Sequence, residues 1–333
     1  MVVPRQALSL AALATAGLLV AACGGGSKGG GSSGAGAGGS AKAGGGTLAL
    51  SLSTLNNPFF VQLRDGASAQ AKAKGYQLNI SDAQNDPASQ ANAVQNVITQ
   101  QVKAIILNPT DSKAIVPSVT AANAANIPVI TVDRSSDGGK ITSFIGSDNV
   151  GGGKQAADEL ATLVGSGDVV ELQGVPGTSA ARDRGKGFDT EIKTKPGIRL
   201  IALQSANFDR TRALDVMTNL LQAHPTIKGV FAQNDEMALG AIKALGNRAG
   251  AQVKVVGFDG TPEGLAAVKA GTENADVAQQ PTLLGKNAVD AAAMVLTGGT
   301  VPPAQQIPVK VVTKANVDAF LAQNGGAPAA SAS

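Results

Sequence analysis

From Thr47 onward the chain alternates short runs rich in Leu, Ile and Val with longer stretches in which Ala, Val and Leu recur at helical spacing. The short runs predict strands at Leu48–Ser53, Gln77–Ser81, Ala104–Asn108, Val129–Asp133, Val169–Gln173, Leu200–Gln204, Gly229–Gln233, Val253–Phe258 and Asp276–Gln279. Most of the stretches between them carry the apolar stripe of a helix that buries one face. Asn57-Pro58 and Asp86-Pro87 each set a capping side chain before a proline at a first helical position, which predicts helix starts. Gly75, Gly246 and Gly271 fall where helices should stop, because glycine accepts the left-handed backbone that ends them.

Strand, helix, strand in this rhythm predicts a parallel sheet covered on both faces, with right-handed crossovers. The rhythm breaks near Ser143–Gly153 and then resumes, so two such sheets are expected, one in each of two Rossmann-like α/β lobes. A length of 333 residues is enough for both. No internal repeat is visible in the letters. Gly151-Gly152-Gly153 lacks a G-x-G-x-x-G context and a downstream acidic partner, so it reads as a mobile helix start and not as a nucleotide loop.

Ahead of this region the chain is of another kind. Residues 1–22 hold one positive charge, Arg5, and an apolar run from Ala7 to Ala22, the pattern of a secretory signal. Val20-Ala21-Ala22-Cys23 resembles a bacterial lipobox, in which small residues fit the peptidase cleft and the Cys23 thiol takes a diacylglyceryl group. The expectation is an exported protein held by lipidated Cys23 to the outer face of the cell membrane. A buried free cysteine or a short membrane anchor would read otherwise, but Cys23 is the only cysteine and closes the apolar run. Intrachain disulfides are thereby excluded. The remainder of 23–46, almost wholly Gly, Ser and Ala, predicts a flexible tether with a reach of roughly 25 Å. The tail 325–333 reads as disordered.

Charge excludes some functions. A net charge of +3, with Lys and Arg scattered among acids, leaves no phosphate-backbone footprint, so nucleic acid is not expected as a partner. The single histidine, His224, sits in an Ala-His-Pro helix end, and no Ser/His/Asp arrangement can be built. No His pair or calcium-loop spacing is present. Catalytic residues, metal and cofactor are accordingly all expected to be absent.

Open parallel sheets bind ligands beyond the carboxyl ends of their strands. Here those ends carry Asn108, Asp133-Arg134, Gln173, Asn234-Asp235, Asp259 and Gln279, and Phe59-Phe60 follows the first strand. A sugar needs multi-donor and multi-acceptor side chains around its hydroxyl edge and aromatic rings on its C–H faces. Asn57, Asn108, Asp133, Arg134, Arg184, Asn234, Asp259 and Gln279 can form the rim, and Phe59, Phe60 and Phe208 the faces. The same residues have plainer uses. Asn or Asp at a strand end can be only a helix cap, Asn57 before Pro58 included. Arg182 and Arg184 can be solvated charges, and Phe144 and Phe188 are expected in the core.

The segments STLNNPFF (53–60), ILNPTDS (106–112), ANIPVITVDR (125–134), GTSAARDRG (177–185), NFDR (207–210), AHP with VFAQNDEMALGA (223–241) and VVGFDGTP (255–262) resemble the bacterial D-ribose-binding proteins. These are the substrate-binding components of ABC-type sugar transporters, within the type I periplasmic binding proteins. The similarity runs from Thr47 to about Asn324, and Val175-Pro176 departs mildly from it. The resemblance implies that Phe59 and Phe60 stack on one sugar face and Phe208 on the other. It makes Asn57, Asn108, Asp133, Arg134, Arg184, Asn234, Asp259 and Gln279 hydrogen-bonding residues and puts Phe258 in the ligand-binding set.

It also implies lobes of 47–147 plus 280–308 and of 148–279 plus 309–324, joined by a hinge the chain crosses three times. A monomer that closes over one monosaccharide and presents it to an ABC-type permease in the membrane follows. A sugar-responsive repressor shares this architecture but needs an N-terminal helix-turn-helix, where this chain has a signal and a tether. A Rossmann oxidoreductase lacks its phosphate fingerprint here. The same fold holding another pentose, a hexose or a sugar-like signal stays open.

Overall fold

The computed structural model describes residues 45–323; the signal segment 1–22, Cys23, the tether to residue 44 and the tail 325–333 lie outside the described residues. Strands and helices follow one another as β1 (Thr47–Leu52), α1 (Pro58–Ala73), β2 (Gln77–Asp82), α2 (Pro87–Thr99), β3 (Ala104–Leu107), α3 (Val116–Ala124), β4 (Val129–Val132) and β5 (Ser143–Ser147). Then come α4 (Asn149–Val164), β6 (Gly167–Gln173), α5 (Ser179–Ile192), β7 (Ile198–Ser205), α6 (Arg210–Ala223), β8 (Gly229–Ala232), α7 (Asp235–Leu245), β9 (Lys254–Asp259), α8 (Pro262–Ala270) and β10 (Ala275–Ala278). The chain ends with α9 (Pro281–Leu296), β11 (Ala304–Ile307), β12 (Lys310–Thr313) and α10 (Val317–Gln323).

Two six-stranded sheets result, ordered β2-β1-β3-β4-β5-β11 and β7-β6-β8-β9-β10-β12. Every pairing is parallel except β10 with β12. Central strands such as AIIL, VITV and ADVA are buried at every residue, as a sheet covered on both faces requires. The two-residue period of a strand sorts the covers: Leu48, Leu50 and Leu52 pack with Leu63 of α1 and Leu284 of α9, while Ala49 joins Val94 of α2 and Val119 of α3 on the other face. In the second sheet Val170 and Leu172 face α6 and α7, and Val169 faces α4 and α5.

The chain passes between sheets at three places: from β5 to α4, from β10 to α9, and from β11 to β12. These crossings touch, since Asp148 N–H donates to Ile307 O (3.1 Å) and Gln280 Nε2 to Pro308 O (3.3 Å).

Several expectations are corrected. The strands β3, β4, β8 and β10 stop one residue early; Asn108, Asp133, Gln233 and Gln279 lie just past them, each still donating a last N–H to the neighbouring strand (2.8–3.0 Å). The break at Ser143–Gly153 contains a strand, β5, and β11 and β12 also went unpredicted. All three are only four or five residues long, and β11 (AQQI) and β12 (KVVT) are half-exposed sheet margins with a weak apolar signal. The three glycines lie in the first turn and a half of α4, which is capped and closely packed. Asp148 caps α4 by accepting from Gly151 N–H (2.9 Å), and a β-carbon at Gly153 would collide with the carbonyl of Arg184 on α5. Phe188 is fully buried, but Phe144 is only half-buried beside edge strand β11.

Candidate ligand site between the two sheets

A cavity of about 250 Å³ lies where the carboxyl ends of the two sheets face each other, lined by Asn57, Phe59, Phe60, Asp133, Arg134, Ala180, Arg184, Phe208, Asn234 and Asp259. The first sheet's side supplies Asn57, Phe59 and Phe60 from the start of α1, and Asp133 and Arg134 from the end of β4. The second supplies Ala180 and Arg184 from α5, Phe208 from the β7–α6 loop, Asn234 from the start of α7 and Asp259 from the end of β9.

Local rules position these side chains. Asn57 and Asn234 are N-caps, accepting from Phe59 N–H (2.8 Å) and Met237 N–H (2.9 Å), and each also lines the cavity. The cap reading and the site reading therefore hold together. The Phe59 and Phe60 rings meet edge to face at 5.2 Å between centroids, so one helix turn presents two rings. Asp133, Phe208 and Asp259 have positive φ (62°, 59° and 130°), a backbone that side chains other than glycine rarely adopt.

Acids and bases lie in pairs. Asp133 lies 3.6 Å from Arg134 Nε, and Arg184 Nη1 reaches Asp259 Oδ1 at 3.3 Å and the carbonyl of Gln233 at 2.6 Å. Burial pushes Asp133 above the usual carboxylate range, while Arg134 and Arg184 pull it back. Asp259 is raised further by burial; Arg184 opposes that, and the charges of Asp235 and Asp133 reinforce it. Desolvation lowers Arg134, which remains charged. The Arg134 guanidinium carbon is 5.2 Å from the Phe60 centroid and 5.3 Å from that of Phe208. Two carboxyls and two guanidinia set acceptors beside donors, so the arrangement suits a polar guest that both accepts and donates hydrogen bonds.

Three expected site residues stand behind the lining. Asn108 spends its Oδ1 on Ser53 and donates through Nδ2 to Val132 O and Asp133 Oδ2 (both 3.1 Å). Gln279 Nε2 donates to Asp259 Oδ1 (2.7 Å). Each carboxylate is thus held by an amide from the neighbouring strand's end. Phe258 lies under Arg184, its centroid 3.9 Å from the guanidinium carbon. Other contributors went unnoticed. Ala180 carries no polar signal. Asn149 accepts from Arg184 Nε (2.9 Å), and Gln90 donates to Asn108 O (2.9 Å) from the middle of a helical pattern. His224 caps the carboxyl end of α6 and does not line the cavity.

The rim of the cavity is closed by bonds between the two sides. Ser112 N–H donates to Gly177 O (2.9 Å), Ser179 N–H to Ser112 Oγ (3.0 Å), Ser135 N–H to Ser179 Oγ (2.8 Å), and Arg182 pairs with Asp137 (2.6 Å).

Two parallel α/β sheets, joined by three adjacent crossings and closed over one small polar cavity, define a two-lobed solute-binding protein. The family model described as Periplasmic binding protein domain matches residues 48–300, and the chain belongs to that family. Ribose import binding protein RbsB of Bacillus subtilis (strain 168) is 49% identical over 269 residues, covering 80% of this chain and 87% of the relative. RbsB of Escherichia coli (strain K12) is 49% identical over 269 residues, covering 80% and 90%. Among solved structures, the chain is similar to an ABC transporter solute binding protein from Bacillus halodurans C-125 with bound myo-inositol. That likeness has a TM-score of 0.80 at 33% identity over 85% of this chain and 99% of that one. These relatives are binding proteins of import systems rather than enzymes, and membership of the family carries a location outside the cytoplasm.

Proposed function

We propose that this chain captures D-ribose from outside the cytoplasm and delivers it to an ABC-type permease. The observation that carries this is the polar cavity, in which Asp133, Asp259, Arg134 and Arg184 surround a space walled by Phe59, Phe60 and Phe208. Relatives about 50% identical are ribose import binding proteins, which supports the choice of sugar. Asp133 and Asp259 accept from ring hydroxyls, Arg134, Arg184, Asn57 and Asn234 donate to ring oxygens, and the phenyl rings cover the C–H faces. Asn108 and Gln279 aim the carboxylates, and Phe258 supports Arg184.

The lobes in this reading are 47–147 with 280–308 and 148–279 with 309–324, each supplying half of the site. Ligand therefore bridges them and favours the closed form over any open one. The protein acts as a monomer, tethered to the membrane by lipidated Cys23. No helix among the described residues is long and apolar enough to cross a membrane. Cys23→Ser should move the protein from the detergent phase to the aqueous phase in a phase-partition assay. Titration calorimetry of the purified soluble domain tests the sugar: D-ribose should bind at one site per chain more tightly than D-allose, L-arabinose or myo-inositol. Absence of heat with D-ribose would overturn the reading.

A further inference from the structure

One cluster of chemistry lies outside the sugar cavity. Asp235, at the start of α7, Glu273, in the turn before β10, and Asp276, on β10, are all fully buried, and an oxygen of each lies within 4.8 Å of the others. Nothing in the spacing 235, 273, 276 announces them as a set, and none lines the cavity.

The structure makes room for these oxygens. A β-carbon at Gly257, in the middle of β9, would collide with Glu273 Oε1 and lie 3.0 Å from Asp235 Oδ1. At Gly264, on α8, it would collide with Asp235 Oδ2. Some oxygens are satisfied: Asp235 Oδ2 accepts from Thr261 N–H (2.7 Å) and Oγ1 (2.6 Å), and Asp276 Oδ2 from Gly260 N–H (3.3 Å). Four are not. Asp235 Oδ1, Asp276 Oδ1 and both oxygens of Glu273 are buried without a hydrogen bond of acceptable geometry. Glu273 is the decisive one, a wholly buried carboxyl beside the two aspartates that meets only a poorly aligned Gly257 N–H.

A buried carboxyl either keeps its proton or meets a counter-charge. The groups that act electrostatically on these three are one another, Asp259, and donors of Gly257, Gly260 and Thr261; no lysine or arginine is among them. We propose that Asp235, Glu273 and Asp276 form a cation site for a hard divalent ion of calcium size. Ca²⁺ takes six to eight oxygens at about 2.3–2.6 Å; four of the six carboxylate oxygens here are free, and Asp235 Oδ2 and Asp276 Oδ2 would complete six through their remaining lone pairs. Oxygens up to 4.8 Å apart fit across such a sphere. Mg²⁺ binds at about 2.0–2.1 Å and keeps several waters, which a fully buried site without a mouth disfavours. Zinc would call for imidazole or thiolate, and the set has neither.

The test uses the mature protein stripped with a chelator and needs no sugar, so it stands or falls apart from the ribose reading. Calorimetry at neutral pH should give one Ca²⁺ per chain, with a rise in melting temperature that Mg²⁺ at equal concentration does not match. Glu273→Gln and Asp276→Asn should each weaken Ca²⁺ at least about tenfold, since ligand charge sets affinity. Both keep side-chain volume, and circular dichroism checks that they fold; the wild-type titration decides even if they do not. Absence of Ca²⁺ binding to the wild-type protein, tighter binding of Mg²⁺ than of Ca²⁺, or Ca²⁺ affinity unchanged in both folded variants would each overturn the proposal.

Discussion

Asp133 and Asp259 occupy equivalent posts in the two sheets. Each sits at the carboxyl end of the fourth strand of its half in space, has positive φ, and takes an amide donor from a neighbouring strand's end. Strained backbone of this kind persists only where neighbours over-determine it. A hydrogen bond to a charged group contributes about 1.5–3 kcal/mol, so Asp259→Asn, which keeps shape and tolerates the backbone, should weaken ribose binding about 10- to 150-fold in calorimetry. Asn108→Leu should weaken it less, because Asn108 acts through Asp133, and its effect should vanish in an Asp133→Asn background measured as a double-mutant cycle. Much of this site was legible: polar residues after apolar runs mark strand tips, and nine of the expected side chains line the cavity. What could not be read was direction. Asn108 and Gln279 sit at strand tips like Asp133 and Asp259, and only the turn of the backbone decides which residue faces the cavity and which backs it.

At the scale of elements, close helix contacts set the site's geometry. Gly153 on α4 abuts the Arg184 carbonyl on α5, and Gly187 on α5 abuts the Val150 carbonyl on α4, so this crossing is tight enough to fix where Arg184 starts. Gly153→Ala overpacks it and should cost about 1–3 kcal/mol, read as a fall in melting temperature of about 2–4 °C per kcal/mol. Ribose affinity should fall with it, since Arg184 moves.

Inside β6, Glu171 is fully buried and accepts from Gln233 Nε2 (2.7 Å), while Gln233 Oε1 holds Gly174 N–H (2.8 Å). Burial, reinforced by the charge of Asp189, pushes Glu171 from its ordinary 4.5 to about 8. A raised acid binds its proton in the folded state while the unfolded chain has already lost it. Stability is therefore greatest below about pH 4.5 as far as this group is concerned and declines as pH rises to about 8. Urea unfolding across that window should show a slope that Glu171→Gln flattens. Strand content followed the apolar runs wherever a strand is buried on both faces. It escaped where AQQI and KVVT form margins, because a half-exposed strand of four residues has too few apolar positions to show a period.

The whole molecule repeats one topology twice, β2-β1-β3-β4-β5 and β7-β6-β8-β9-β10, although no repeat shows in the letters. Packing constrains only apolar volume and period, so two halves can share an architecture after their residues have diverged. Two halves were expected because the rhythm paused and resumed. That they share a site follows from the tips of both sheets facing one cavity. Closure is latched by Ser112, Ser135 and Ser179 and by the Arg182–Asp137 pair at the rim. The double variant Ser112→Ala, Ser179→Ala removes two neutral hydrogen bonds, together about 1–3 kcal/mol of closure, and should speed ribose dissociation about 5- to 150-fold in stopped-flow without altering the sugar contacts.

The most direct measurement is a crystal structure of the mature domain grown with D-ribose. The account predicts one pyranose- or furanose-sized density between the Phe60 and Phe208 rings, within hydrogen-bonding distance of Asp133 and Arg134 on one side and of Arg184 and Asp259 on the other. Density for the sugar elsewhere, or an occupied cavity in which either aspartate points away from the ligand, would contradict it.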